Sequence, residues 1–243
     1  MIVNFSGKST FILALLRLLD PRSGTISVDG IDVSHTSRSA VRQTCFIAVP
    51  QDPFLLPDSN LRFNVDPMER YQDAQIVIAL EKTRLWHHFL NNKSFPRDTS
   101  AARDISEILD SPLSSLPQLS TGQQQLLSLA RAVLRAQPPT TSIPYTDDIP
   151  AKIKPILLLD EATSSLDEET EAMIYEIIQQ EFTDKGYTVI AISHRLGALA
   201  KGWKKGRDIL MRMSNGRIEE VGSLGTALAS GAGKAVGENL GDG

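Results

Sequence analysis

The sequence predicts an α/β fold built on a mainly parallel sheet, and three observations carry the prediction. Three apolar runs, Cys45 to Val49, Ile156 to Leu159 and Thr188 to Ile192, have the length of buried strands. Stretches with helical spacing separate them, which is the alternation of a parallel sheet covered by helices. Each run also ends in polar side chains: Gln51, then Asp160-Glu161, then Ser193-His194. In such sheets ligands gather at the carboxyl ends of the strands, so these residues are the first candidates for a site.

The elements follow in order. Residues Met1 to Ser6 lead directly into Gly7-Lys8-Ser9-Thr10, and Phe11, Ile12, Leu15, Leu16 and Leu19 then mark an apolar helical face. The run Asp20-Pro21-Arg22-Ser23-Gly24 breaks that helix. Thr25 to Val28 and Ile31 to Val33 read as strands around the turn Asp29-Gly30. After Cys45 to Val49, the stretch from about 53 to 136 is mostly helical, most clearly at Ala74 to Leu80 and Gln123 to Leu134. Residues 137–155 hold Pro138, Pro139, Pro144, Pro150 and Pro155, the composition of an exposed, mobile insertion. A helix is expected from about Glu168 to Phe182, and a hairpin from Ile209 to Val221 around Asn215-Gly216. The Gly-rich end, 231–243, reads as a disordered tail.

Composition excludes several classes. The 243 residues carry 25 Lys+Arg against 29 Asp+Glu, a net charge of −4, whereas unspecific nucleic-acid binding needs a basic face. The one cysteine, Cys45, rules out an internal disulfide framework and points to a reducing compartment. No apolar run approaches the ~20 residues that span a bilayer.

Gly7-Lys8-Ser9-Thr10 is the second half of a phosphate-binding loop. Lys8 would neutralise β- and γ-phosphates, Ser9 would ligate Mg²⁺, Thr10 would sit near the α-phosphate, and the helix start would offer backbone N–H groups. The full pattern has a glycine five places earlier, where Ile2 stands, and the four residues alone also read as a chance match. Asp160 and Glu161 close a buried strand. Asp160 would hold Mg²⁺ through water, and Glu161 would act as general base or orient the attacking water; a plain acidic turn is the other reading. His194 could bond the γ-phosphate, while His35, His87 and His88 read as surface residues. Gln51 could ligate Mg²⁺ and bond a water, or be an ordinary turn glutamine. Ser120 with Gln123 fits a capping box. Gly122 in that first helical turn costs roughly 1 kcal/mol relative to alanine, which makes sense where a phosphate approaches the backbone. The segment thus reads as a second anion site.

The order of these motifs carries a resemblance. Gly7-Lys8-Ser9-Thr10, Gln51, Leu119-Ser120-Thr121-Gly122-Gln123, Ile156-Leu157-Leu158-Leu159-Asp160-Glu161, Ser164-Ser165-Leu166-Asp167 and His194 are arranged as in an ATP-binding cassette. The chain resembles the nucleotide-binding domain of ABC transporters over residues 1 to about 230. Gln51-Asp52-Pro53-Phe54, Leu61-Arg62-Phe63-Asn64-Val65-Asp66-Pro67 and Gly122 to Ala132 are similar to the second cassette of the multidrug-resistance-associated (C) subfamily. The resemblance implies a P-loop NTPase, RecA-like sheet with an inserted helical subdomain at about 53–136. It implies ATP and Mg²⁺ as ligands, ATP hydrolysis, and export as the direction of transport. Its partners would be a second nucleotide-binding domain, docked head to tail, and transmembrane domains, on the cytoplasmic face of a membrane. Gly7, Lys8, Ser9, Thr10, Gln51, Asp160, Glu161 and His194 would bind one ATP. Ser120, Gly122 and Gln123 would close on the partner's ATP, with Asp167 at the interface.

The chain departs from the family in three places. The family's β-subdomain and adenine-stacking aromatic residue do not precede Gly7. Ile2 and Phe5 replace two loop glycines, where a left-handed backbone would cost roughly 1–2 kcal/mol. Thr121 replaces the usual signature glycine. The chain is therefore expected to be either a fragment of a longer transporter, or a truncated cassette that binds nucleotide poorly and acts as a non-catalytic partner. On its own it would hydrolyse ATP weakly or not at all. Chromosome-type cassettes carry a long coiled coil, and 51–120 shows no sustained heptads. P-loop kinases and GTPases do not need Leu119 to Gln123.

Overall fold

The apolar runs form strands because their side chains are buried where neighbouring strands register them. Phe46, Ile47 and Val49 lie opposite Ile156, Leu157 and Leu159, and nearly all are buried. The computed structural model describes residues 2–3, 7–90, 101–140, 153–193, 204 and 206–222. His194, Phe5, most of the Pro-rich stretch and the Gly-rich tail lie outside them. The fold divides into two units, 1–51 with 153–243, and 52–152.

Among the described residues the first unit is built on a six-stranded sheet. In chain order its strands are β1 (Ile2–Val3), β4 (Phe46–Val49), β5 (Ile156–Asp160), β6 (Val189–Ile192), β7 (Leu210–Ser214) and β8 (Arg217–Gly222). Their spatial order is β4-β5-β6-β1-β7-β8. All neighbours pair in parallel except β7 and β8. A separate two-stranded ribbon, β2 (Ser27–Val28) and β3 (Ile31–Asp32), turns at Asp29-Gly30 as expected. Helix α1 (Lys8–Leu15) packs on β5 and buries Ile12 and Leu15. Helix α8 (Glu168–Ile178) buries Ile174, Ile177 and Ile178.

Three details differ from the sequence reading. A short helix α2 (Arg38–Ala40) and a wide π-type turn at 41–45 precede β4, so that strand begins one residue late, at Phe46. The helix from Glu168 closes at Ile178 and continues to Thr183 as a second π-type turn, which buries Phe182. The strain expected at Ile2 does not arise. Its backbone is an extended strand residue paired with Ile192 on one side and Met211 on the other. The hairpin turn fits its residues: Asn215 (φ 49°) and Gly216 (φ 73°) supply the two left-handed positions that a tight hairpin requires.

The second unit is helical: α3 (Leu61–Val65), α4 (Asp73–Lys82), α5 (Trp86–Leu90), α6 (Ala101–Asp110) and α7 (Thr121–Arg135). Helix α7 buries Leu126, Leu127, Leu129, Ala130, Val133 and Leu134, and packs against α3 and α4. Polar clamps fix the segment before α3. The buried Asn64 amide accepts the Leu56 N–H (2.9 Å) and donates to the carbonyls of Leu56, Ser59 and Asn60. Arg131 of α7 donates to the carbonyls of Phe54 (2.7 Å) and Asn64.

Candidate functional site

The carboxyl ends of β1, β5 and β6 form one edge. Asp160 lies opposite Ile192, and Ile192 opposite Ile2, so the chain leaves all three strands at neighbouring rungs. Gly7 then starts α1 in a left-handed conformation, φ 110°. A Cβ there would come to 3.0 Å of Gly216 Cα and 3.4 Å of Met213 Cε, so the hairpin turn also excludes a side chain. Among the described residues no side chain caps α1, and its first turn carries no carboxylate. Its leading N–H groups are arranged as an anion-binding helix start.

Lys8 is buried, with its side chain 6% exposed, and its Nζ lies 3.5 Å from Oε1 of Glu161. Ser9 and Thr10 beside it are exposed. Glu161 sits just past β5 with φ 49°, a conformation that costs a non-glycine residue roughly 1–2 kcal/mol. Its backbone is held on both sides: its N–H donates to the Ile192 carbonyl (3.0 Å), and its carbonyl accepts the Ser164 N–H (3.0 Å). Burial pushes the Asp160 carboxyl above its usual range, and the adjacent Glu161 adds to the shift, while Lys8 opposes it. A partly buried carboxylate pair beside one ammonium is a setting that a further cation would relieve, which fits Mg²⁺. Among the described residues no cluster of three or more His, Cys, Asp or Glu could hold a metal on its own. Mg²⁺ here would need phosphate oxygens as further ligands. Gln51 is exposed two residues after β4.

A buried polar network lies behind this edge. Thr163 Oγ1 donates to Glu171 Oε1 (3.0 Å) and meets the Tyr175 hydroxyl at 3.1 Å. Tyr175 is in turn hydrogen-bonded to Ser193, at the end of β6. Thr163, Glu171 and Ser193 are each buried. Asp167 has a structural role that the sequence reading did not give it. It caps α8, accepting the Thr170 N–H and hydroxyl, both at 2.8 Å. Those two bonds hold its carboxyl below the usual range.

In the second unit, Ser120 and Gln123 form the expected capping box at the start of α7. Ser120 Oγ accepts the Gln123 N–H (3.2 Å), and Gln123 Oε1 accepts the Ser120 N–H (2.9 Å). Gly122 occupies the first turn. One sequence reading needs correction here. His88 is not a free surface residue: it is half-buried, and its Nδ1 lies 3.2 Å from Gln123 Nε2. Nothing in the local sequence signals this, since 35 residues separate the two. The structure thus brings Gly7, Lys8, Ser9, Thr10, Asp160 and Glu161 to one edge, with Gln51 at the end of β4. Ser120, Gly122 and Gln123 belong to the other unit, and His194 lies outside the described residues.

Comparison with known proteins gives a consistent result. Residues 3–139 match the family model described as ABC transporter. The chain is 36% identical over 221 residues to "ABC transporter FGM5" of Gibberella zeae, which covers 89% of this chain and 13% of that protein. It is 37% identical over 216 residues to "ABC transporter C family member 5" of Arabidopsis thaliana, covering 88% of this chain and 12% of the relative. "ABC transporter C family MRP4" of Zea mays gives the same identity and coverage. The chain therefore spans only about one eighth of the length of these relatives. A solved bacterial Atm1-family ABC exporter with ATP bound has a similar fold, with a TM-score of 0.72 and 24% identity, covering 99% of this chain and 36% of that one.

Proposed function

The chain belongs to the ABC transporter family as an ATP-binding domain, and from that premise we propose that it hydrolyses ATP to power transport across a membrane, in the direction of export. The observation that carries this reading is the Lys8–Glu161 pair at the shared strand edge, 3.5 Å apart. It supports Lys8 as the phosphate-neutralising ammonium and Glu161 as the general base at one γ-phosphate.

The residues act as follows. ATP phosphates bind the start of α1 through the N–H groups after Gly7, with Lys8 on the β- and γ-phosphates and Thr10 near the α-phosphate. The phosphates thereby replace Glu161 as the counter-charge of Lys8, and the Glu161 carboxylate becomes free to take a proton from water. That water's oxygen bonds to the γ-phosphorus, the bond to the β–γ bridging oxygen breaks, and ADP and phosphate leave. Ser9 and Gln51, with Asp160 acting through water, would hold Mg²⁺, which would supply charge neutralisation on the phosphates. His194 contacts the γ-phosphate and holds the water.

Ser120, Gly122 and Gln123 close on the ATP of a second nucleotide-binding domain docked head to tail, with Asp167 near that interface. Transmembrane domains are the other partner. Phe54 supports this assignment: it is 71% exposed although Arg131 pins its carbonyl. The domain would work at the cytoplasmic face of a membrane. Among the described residues no helix is long and apolar enough to cross one.

The test is Mg-ATP binding and phosphate release by the purified chain and two variants. Lys8→Ala should weaken binding about 10–100-fold, the loss of charge-assisted bonds. Glu161→Gln should keep binding and lower phosphate release by about 10²-fold or more. Binding by Lys8→Ala as tight as wild type would refute the site. A second reading, a cassette that pairs without turnover, is favoured by Ile2, which is a strand residue where the loop pattern has glycine. Wild-type binding with no phosphate release would support that reading instead.

A further inference from the structure

We infer that His88 is the positioning residue of the signature glutamine: one imidazole tautomer fixes the amide of Gln123 and ties it to the segment before Ser120. The inference rests on reading Ser120 to Gln123 as the face that closes on a partner's nucleotide.

Three contacts determine the arrangement. Gln123 Oε1 accepts the Ser120 N–H at 2.9 Å, which fixes the amide orientation, because a flipped amide would oppose two donors. Nε2 of the same amide, a donor only, lies 3.2 Å from His88 Nδ1, so Nδ1 must carry the lone pair. The ring proton is then on Nε2, which lies 3.3 Å from the Pro117 carbonyl, an acceptor only. Both ends of the ring therefore agree on a single Nε2–H tautomer. The ring is also held in place by its helix. Trp86 and Phe89 of α5 are buried, and the imidazole meets the Phe89 ring edge-on, with centroids 5.6 Å apart.

The consequence is a clamp on residues 117–123. His88 donates to the carbonyl three residues before the cap and accepts from the side chain three residues after it. Gln123 Nε2 carries two hydrogens, and His88 takes one. The second has no partner among the described residues, and its direction is set by the two bonds that fix the amide plane. His88 thus determines which donor the signature can offer to a phosphate or ribose oxygen, although it need not touch the nucleotide.

Two isosteres separate the ring's two nitrogens. In His88→Asn the side-chain oxygen can stand near Nδ1 and keep the bond from Gln123. His88→Gln reaches the Nε2 position, keeps the bond to Pro117, and loses the one from Gln123. In the 243-residue chain, ¹⁵N NMR should show Nε2 protonated and Nδ1 bare at His88. The Gln123 side-chain amide should stay at its wild-type shift in His88→Asn and move in His88→Gln. ATP-driven association should then fall about tenfold in His88→Gln, the value of one ordinary hydrogen bond, and stay near wild type in His88→Asn. An Nδ1–H tautomer, or equal effects of the two substitutions on the Gln123 amide, would overturn the proposal. The NMR arm needs no nucleotide. If wild type fails to associate with ATP, the proposed function of this face fails, and the tautomer and amide shifts still decide the role of His88.

Discussion

Glu161 and Asp160 are adjacent carboxylates with opposite constraints. Glu161 is in a left-handed conformation, held by the Ile192 carbonyl and the Ser164 N–H, and pairs with Lys8. Asp160, at the end of the strand, is held above its usual range by burial and then by Glu161. A carboxyl raised in the folded state contributes stability that is present below its unfolded value, near pH 3.9, and lost as pH rises through the folded value. At neutral pH Asp160 is therefore a net burden on the nucleotide-free chain. Asp160→Asn should raise Tm at pH 7 by about 2–4 °C, for a gain of about 1 kcal/mol after solvent screening. The gain should vanish below about pH 4. Mg-dependent ATP binding should fall in the same variant. An unchanged or lower Tm at pH 7 would mean that Lys8 already compensates the charge.

At the scale of elements, α8 shows how a residue with an expected interface role carries a structural one. Asp167 caps the helix through the Thr170 N–H and hydroxyl, which hold its carboxyl below the usual range. A depressed carboxyl contributes stability that is present above the unfolded value and lost as pH falls through the lower folded value. Asp167→Ala should lower Tm at pH 7 by about 2–4 °C. Asp167→Asn, which still caps but does not titrate, should approach wild type as pH drops below about 4. A pH-independent gap between Asp167→Asn and wild type would show that the charge is irrelevant to the cap. The sequence revealed elements wherever the signal was local. The capping box at Ser120, the apolar runs of β4, β5 and β6, and the Asn215-Gly216 hairpin were all legible, because each rests on contacts within a few residues or on strand burial. The π-type turns at 41–45 and 179–183 were not, since they share the composition of an α-helix. The Gln123–His88 bond and the Thr163–Glu171–Tyr175–Ser193 network were also hidden. They depend on side chains that only the tertiary fold brings together.

For the whole molecule, the division into two units separates the two halves of the proposed chemistry. The candidate phosphate loop and strand-end carboxylates belong to 1–51 with 153–243, and the signature residues belong to 52–152. The resemblance that the order of motifs carries implies a composite site completed by a second nucleotide-binding domain. Mass action gives this a measurable form. Mg-ATP at about 100 times its Kd stabilises the binding unit by about 2.7 kcal/mol, which raises Tm of a domain this size by about 5–11 °C. Hydrogen exchange should locate the effect. Amides at the start of α1 and the end of β5 should become protected at any protein concentration. Amides at the start of α7 should become protected only as protein concentration rises, because the ATP they meet is held by another molecule. Concentration-independent protection of α7 would mean that both segments serve one nucleotide within a single chain, and the head-to-tail arrangement would then be wrong.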